Sequence, residues 1–426
     1  FAQLGDLPND VPQKPLFPLP PPPVFLSAAE QQRTFRLAPG FQIELVADET
    51  VAAAVRVADG ALAYTGQIFP GEDDGRMPRD AGAQALQVLA RLDRTLAAAD
   101  SSLAMAVKIN FYLASDDAFA AVEAALAEKC RAAPAAVSYM RSTLAVNGAL
   151  VAADAVAAAP SVATNVRVFS ATSPSGGSGT GKSIAVLPAG RRVYVSGLVS
   201  ERARGSSDLR SATREAMARH GEVLAFLGLR KTDVVQVKAF FRPPAARAEL
   251  AEEIAAFFAE GAVPPIIEVE FRSASYPAEI ELVAAGGAML AGGREPLTFI
   301  TPPGMTATRY WSRVVTVEPG VPQIYFSAFF GEGANSPREE MRMIFSRLGE
   351  ALFDHGSSFR WLVKGTYYNT NSEISRALRE ARDVYYDPTR LPGSSAVQTT
   401  GVGRPGSTGT VDIIAVPLPA PVPPRE

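Results

Sequence analysis

Leu62-Ala63-Tyr64-Thr65-Gly66-Gln67-Ile68 is a short apolar strand that ends on a hydroxyl and a glycine, and the chain returns to its layout twice. After a polar loop, Leu86, Leu89, Leu92 and Leu96 recur at the spacing of one helix face. The next run alternates. Val107, Ile109, Phe111 and Leu113 lie on one side of a predicted strand, and Lys108, Asn110 and Tyr112 on the other. Asp116 and Asp117 then lead into a second helix with an apolar stripe of Phe119, Val122 and Leu126. The same order begins again at Val193–Leu198 and at Ile324–Phe329. Thr65, Ser196 and Ser327 are 131 positions apart (196 − 65 and 327 − 196), and Val107, Val235 and Val363 are 128 apart (235 − 107 and 363 − 235). Two landmarks that hold register over three copies indicate tandem duplication, and a period this long means three domains rather than solenoid units.

Outward from this core, residues 1–50 divide into a proline-rich arm and a short helix–strand segment. The arm ends in Pro20-Pro21-Pro22-Pro23, an extended polyproline composition suited to a spacer or to PxxP-type recognition. Ser27-Ala28-Ala29-Glu30 is a capping box that predicts a short helix to about Leu37, stopped by Pro39-Gly40; Phe41–Val46 alternates like a strand. The domains are expected at 51–160, 161–290 and 300–418, with a second proline-rich tail at 419–426. Predicted helices of the second copy are Asp208–Leu227 and Ala245–Glu260, and its closing strands Ile266–Phe271 and Glu279–Val283. In the third copy, Ser336-Pro337-Arg338-Glu339 combines an N-cap, a first-turn proline and a capping glutamate, which sets a helix start at Ser336. Its last strands are expected near Ala396–Thr400 and at Thr410–Val416.

Composition narrows the function classes. The 426 residues are 47% apolar and 20% charged, with a net charge of −3 and no basic block, so nothing indicates a nucleic-acid partner. Cys130 is the single cysteine, read as a half-buried thiol late in a helix; no Cys/His set has metal-ligand spacing, and neither metal nor cofactor is expected. No apolar run reaches the roughly 18 residues of a membrane span.

A tyrosine–Ser/Thr–Gly strand, a helix, a "VVK"-like strand, a short helix and a proline-led strand, in that order and three times over, resemble the Rid family (RidA/YjgF). The likeness covers about 360 residues. It implies an α+β fold of three chorismate-mutase-like domains, each a mixed sheet backed by two helices. Rid proteins are homotrimers with clefts between subunits, and many hydrolyse enamines and imines without a cofactor. The three copies are therefore expected to close on one another as an intramolecular pseudo-trimer, since tandem linkage gives them a very high effective concentration.

The family's carboxylate-binding arginine follows the proline that opens the penultimate strand, where a two-pronged guanidinium contact has no substitute. The matching positions here are Ala136, Ile266 and Ser394. Arg141 and Arg272 lie farther along and reach the site only in a shifted register, which would reverse the strand's facing. Thr65, Ser196 and Ser327 match the family's hydroxyl position in the cleft, with local strand-end bonding as the alternative role. Glu281 and Asp412 match its acidic residue, a general-base candidate, and Asp154 is the nearest acid in the first copy. Tyr367 and Tyr368 read as core or interface aromatics.

Gly176–Ser183 fits the phosphate-loop pattern GxxxxGK[ST], but Ile184–Leu187 after it reads as a strand, whereas phosphate binding needs a helix there. His220 falls within a helix and His355 at a helix end, so no repeated histidine base exists. Two function classes follow: a degenerate scaffold that holds a small ligand or a protein partner, favoured by the missing arginines, and a cofactor-free enamine/imine deaminase-type hydrolase. Self-association or a protein partner would engage the proline-rich ends. Phe1 in place of Met, the unpaired Cys130 and a likeness of residues 26–49 to the segment before the propeller in some exported bacterial dehydrogenase-like proteins suggest an exported chain; a cytoplasmic one is the alternative.

Overall fold

The computed structural model describes residues 34–38 and 41–45 as backbone, and 51–71, 76–161, 163–170, 183–259, 261–286 and 295–418 in full. The proline-rich ends and most of the glycine-rich run 176–183 lie outside the described residues.

Each copy forms a mixed sheet carrying two helices, as the α+β reading expects. The first comprises β4 (Leu62–Thr65), α1 (Ala81–Ala97), β5 (Ala106–Leu113), α2 (Phe119–Lys129), β6 (Ala136–Arg141) and β7 (Val151–Ala158). The second runs through β10 (Arg192–Leu198), α3 (Leu209–Phe226), β11 (Val234–Phe241), α4 (Arg247–Phe257), β12 (Ile266–Glu270) and β13 (Ala278–Ala285). The third runs through β16 (Gln323–Phe326), α5 (Pro337–Asp354), β17 (Leu362–Asn369), α6 (Ser372–Tyr385), β18 (Gly393–Gln398) and β19 (Gly409–Ala415). In every copy the long central strand pairs in parallel with the strand after the second helix and antiparallel with the last strand.

The remaining strands are offset by one copy. Hairpin β8 (Arg167–Phe169)–β9 (Ile184–Leu187) precedes the second copy in sequence but extends the first sheet through β4. Hairpin β14 (Leu297–Ile300)–β15 (Val314–Val317) precedes the third copy and extends the second sheet through β10. The strands β1 (Thr34–Ala38), β2 (Phe41–Leu45) and β3 (Ala54–Val57) extend the third sheet through β16. The resulting orders are β6-β5-β7-β4-β9-β8, β12-β11-β13-β10-β15-β14 and β18-β17-β19-β16-β3-β2-β1. We call these sheets with their helices units one, two and three.

Two local expectations need correction. Thr34–Ala38, expected to end a helix, is a strand paired with β2, Ala38 opposite Phe41; Pro-Gly punctuates a hairpin as readily as a helix. The strand expected near Ala396–Thr400 starts three residues earlier, because parallel pairing with β17 carries Gly393, Ser394 and Ser395, which have little strand propensity of their own. The Ser336 start is as expected: its hydroxyl accepts from Glu339 N at 3.2 Å, and the Glu339 carboxylate accepts from Asn335 N.

The helices cover one face of each sheet. Val88, Leu89, Leu92 and Leu96 of α1 are fully buried, and Ile344, Phe345, Leu348 and Leu352 of α5 do the same in unit three. His220 on α3 is fully buried, with Nε2–H donating to the Ile280 carbonyl at 2.7 Å. Burial pushes its imidazole down to about 4, against the pull of that carbonyl. The unfolded chain binds the proton near pH ~6.5, so this contribution to stability is whole above that pH and drains as pH falls towards 4. Replacing His220 with Phe should therefore narrow the stability gap between variant and parent by about 2 kcal/mol between pH 7 and pH 5. Urea unfolding at the two pH values measures it, and an unchanged gap would show that the ring is not held neutral.

Candidate functional site

The alternating strand β5 would ordinarily turn its Lys108-Asn110-Tyr112 face to water. All eight of its residues are buried instead. The helices of unit one cover one face, and units two and three supply the contacts on the other. Val107, Val235 and Val363 join Tyr64, Tyr194 and Tyr325 in one apolar cluster drawn from all three units. Lys108 and Lys364 follow Val107 and Val363 directly, while unit two has Gln236 at that place and carries Lys238 two residues on.

These lysines reach across unit boundaries. Lys108 Nζ lies 2.8 Å from Asp412 Oδ1 in unit three and also donates to Ser138 Oγ at 2.6 Å and to the Phe326 carbonyl at 2.5 Å. Lys364 Nζ lies 2.6 Å from Glu281 Oε2 in unit two and donates to Thr366 Oγ1 at 3.0 Å. Lys238 acts on Asp154 of unit one through its field. Asp154 itself accepts from Tyr112 OH at 2.5 Å and Asn110 Nδ2 at 3.0 Å. Burial raises the Asp154 carboxyl, opposed by Lys238, Tyr112 and Asn110. For Asp412 burial acts upward too, but Lys108, Lys238 and Lys364 outweigh it and hold the carboxyl below its usual range. Burial lowers the Lys108 ammonium, and Asp412 resists.

The register locates a residue that sequence reasoning missed. Asp154 stands opposite Asn110, Asp412 opposite Thr366, and in unit two the same site, opposite Lys238, holds Glu281. Glu279 sits one pleat away, opposite Phe240, where units one and three have Ala152 and Thr410. Burial raises the Glu279 carboxyl to about 7, opposed by Ser395 and Lys364 and reinforced by Glu281. A Cβ on Gly197 would fall 2.0 Å from Glu279 Oε1 and 2.2 Å from Ser395 Oγ, so glycine there is what lets Glu279 of unit two and Ser395 of unit three come together. The alternation Glu279-Ile280-Glu281 was the available signal; the strand pairing puts Glu281 at the repeated position and Glu279 beside it as an additional carboxylate.

The hydroxyl positions are engaged. Ser327 Oγ donates to the Ala52 carbonyl at 2.6 Å and accepts from Val137 N at 2.7 Å in unit one. Ser196 Oγ donates to the Ser312 carbonyl at 2.6 Å and accepts from Ser394 N at 2.7 Å in unit three. Thr65 Oγ1 accepts from Ala155 N at 2.9 Å within its own sheet. Ala136, Ile266 and Ser394 are buried at the starts of β6, β12 and β18, and none offers a guanidinium. Arg141 occupies the last position of β6, and Arg272 is exposed beyond the end of β12. Tyr367 bonds Tyr386 in the unit-three core, while Tyr368 meets Phe240 across a unit boundary. Cys130 is buried and its thiol is pushed up to about 11 by burial. Among the described residues no cluster of His, Cys, Asp and Glu could hold a metal, and no helix is long and apolar enough to cross a membrane.

The lysine interlock makes a direct prediction. Lys108→Met strips a buried partner from Asp412, Ser138 and the Phe326 carbonyl and should destabilise by about 3 kcal/mol or more. Adding Asp412→Leu should recover much of that loss, because the unpaired carboxylate goes with it. Denaturant midpoints of the single and double variants test this; a double variant no better than the single would mean that the pair is not coupled.

Residues 44–159 match the family described as Endoribonuclease L-PSP. No curated protein matches the chain. Among solved structures, a protein of the Rid family, YyfB from Yersinia pestis, is 25% identical over 29% of this chain and 99% of its own, with a TM-score of 0.27. The YjgF-family member NMB1025 from Neisseria meningitidis is 18% identical over 29% and 97%, with a TM-score of 0.22. The YjgF gene product of E. coli is 23% identical over 23% and 81%, with a TM-score of 0.22. With three mixed sheets, each carrying helices, and a family match over its first repeat, the chain resembles the Rid (YjgF) family.

Proposed function

We propose that this chain is a single-chain counterpart of a Rid trimer that binds a small ligand and does not hydrolyse imines. Its three units take the place of three subunits and close on one another. The observation that carries this reading is the fate of the cleft residues. The arginine positions hold Ala136, Ile266 and Ser394, while the hydroxyls of Ser196 and Ser327 donate to carbonyls beside their own sheets and accept from the backbone of the neighbouring unit. A substrate carboxylate meets no guanidinium at those positions, and Asp412 is already engaged with Lys108. Ammonia release from freshly generated 2-aminoacrylate should stay at the uncatalysed rate when the protein is added, and turnover well above background would refute the binding-only reading. Sedimentation should show single 45.0 kDa chains; obligate trimers of chains would refute intramolecular closure.

One observation favours a second reading, a cofactor-free enamine or imine hydrolase working in the cleft between units two and three. A carboxyl that titrates at about 7 next to a serine hydroxyl suits general acid–base chemistry at neutral pH. On that reading ammonia release would be present in the parent protein and abolished by Glu279→Gln.

A further inference from the structure

Where the three sheets meet there is a cavity of about 60 Å³, lined by side chains of every unit. Its polar lining is unevenly satisfied. Lys108 Nζ has three protein acceptors, and Lys364 Nζ has two. Lys238 is 9% exposed; its ammonium lies over the rings of Phe240 and Tyr368, yet it has no hydrogen-bond acceptor among the described residues. Glu281 Oε1 and Asn110 Oδ1 line the same cavity and are buried without a donor. Buried polar atoms are nearly always paired in folded proteins, and an orphaned carboxylate oxygen is among the costliest to leave unmade. Two orphan acceptors and one spare ammonium around a single cavity call for an occupant that offers donors and an acceptor together.

Charge and volume define that occupant. Lys108, Lys238 and Lys364 line the cavity with Asp412 and Glu281. Asp154, outside the lining but within the field of Lys238, supplies the third negative charge, so the surroundings leave no net charge to draw in a free anion or cation. A water takes roughly 10–15 Å³ of such space, so the cavity holds about four waters or one molecule of about five heavy atoms. We propose that this inter-sheet cavity is a binding site for a small molecule of zero net charge with an acceptor at one end and N–H groups at the other, of which the glycine zwitterion and urea are minimal forms. The carboxylate or carbonyl accepts from Lys238 Nζ, and the ammonium or amide N–H groups donate to Glu281 Oε1 and Asn110 Oδ1. The inference rests on the ligand-binding reading but places the ligand apart from the clefts, so ammonia release and occupancy of this cavity can fail separately.

The test uses the full chain, with glycine, urea, acetate and methylammonium as probes in titration calorimetry and in crystals soaked with each. Glycine or urea should saturate and appear in the cavity, while acetate and methylammonium bind at least about tenfold more weakly, as expected when one charged hydrogen bond is lost. Lys238→Met should weaken binding by at least about tenfold for the same reason. Glu281→Gln, which keeps shape and volume, should do likewise and serves if the lysine variant does not fold. A cavity holding only water at saturating probe, equal binding of acetate, or unchanged affinity in Glu281→Gln would each overturn the proposal.

Discussion

The fold depends on turning the lysine-bearing faces of three central strands against neighbouring units instead of towards water. A buried ammonium is tolerable only with acceptors around it, and each unit lacks a complete set of its own. Lys108 finds Asp412 and the Phe326 carbonyl in unit three, and Lys364 finds Glu281 in unit two. Asp154 of unit one is held within its unit by Tyr112 and Asn110 and feels Lys238 of unit two. Two ion pairs thus cross unit boundaries, Lys108 to unit three and Lys364 to unit two, and Lys238 acts on unit one through its field alone. Separated, the units would expose Val107, Val235, Val363 and the three tyrosines that form the shared apolar cluster.

That demand shapes the clefts. A serine hydroxyl that ties one unit's strand to its neighbour's backbone at 2.7 Å is not free to orient a ligand. The three boundaries are also unlike. Thr65 accepts a bond within its own sheet, where Ser196 and Ser327 accept across a boundary. Only unit two carries two carboxylates on one face of its last strand, Glu279 and Glu281, where units one and three have Ala152 or Thr410 before their acid. Divergence of this kind leaves three different surfaces where a homotrimer would have three identical ones.

The offset hairpins add a mechanical link. Because β8–β9 belongs to the first sheet and β10 to the second, the chain between Leu187 and Arg192 spans two sheets within a few residues. The same holds between Val317 and Gln323. Bonds near these crossings fix them: Arg191 pairs with Glu318 at 2.7 Å, and Arg192, itself buried, bonds Gln323 and the Gly60 carbonyl. Neighbouring units are therefore joined by strand exchange as well as by side chains.

The sequence by itself determined the repeat, the helices and the identity of most strands, since these follow from local signals: apolar spacing, the cap at Ser336 and the alternation of Val107 to Leu113. It also showed that Ala136, Ile266 and Ser394 are not arginines, which needs only an alignment of the three copies. Tertiary structure alone decided which sheet each hairpin joins, because β9 can pair equally well with the strand before it or the strand after it. It decided that Glu279, one pleat from Glu281, meets Ser395 of unit three, since a strand's own sequence does not say what faces it from another unit. And it decided that Lys108, Asn110 and Tyr112 form a buried face. Periodicity distinguishes the two sides of a strand, but only the arrangement of distant units determines whether the polar side meets water or another polar surface.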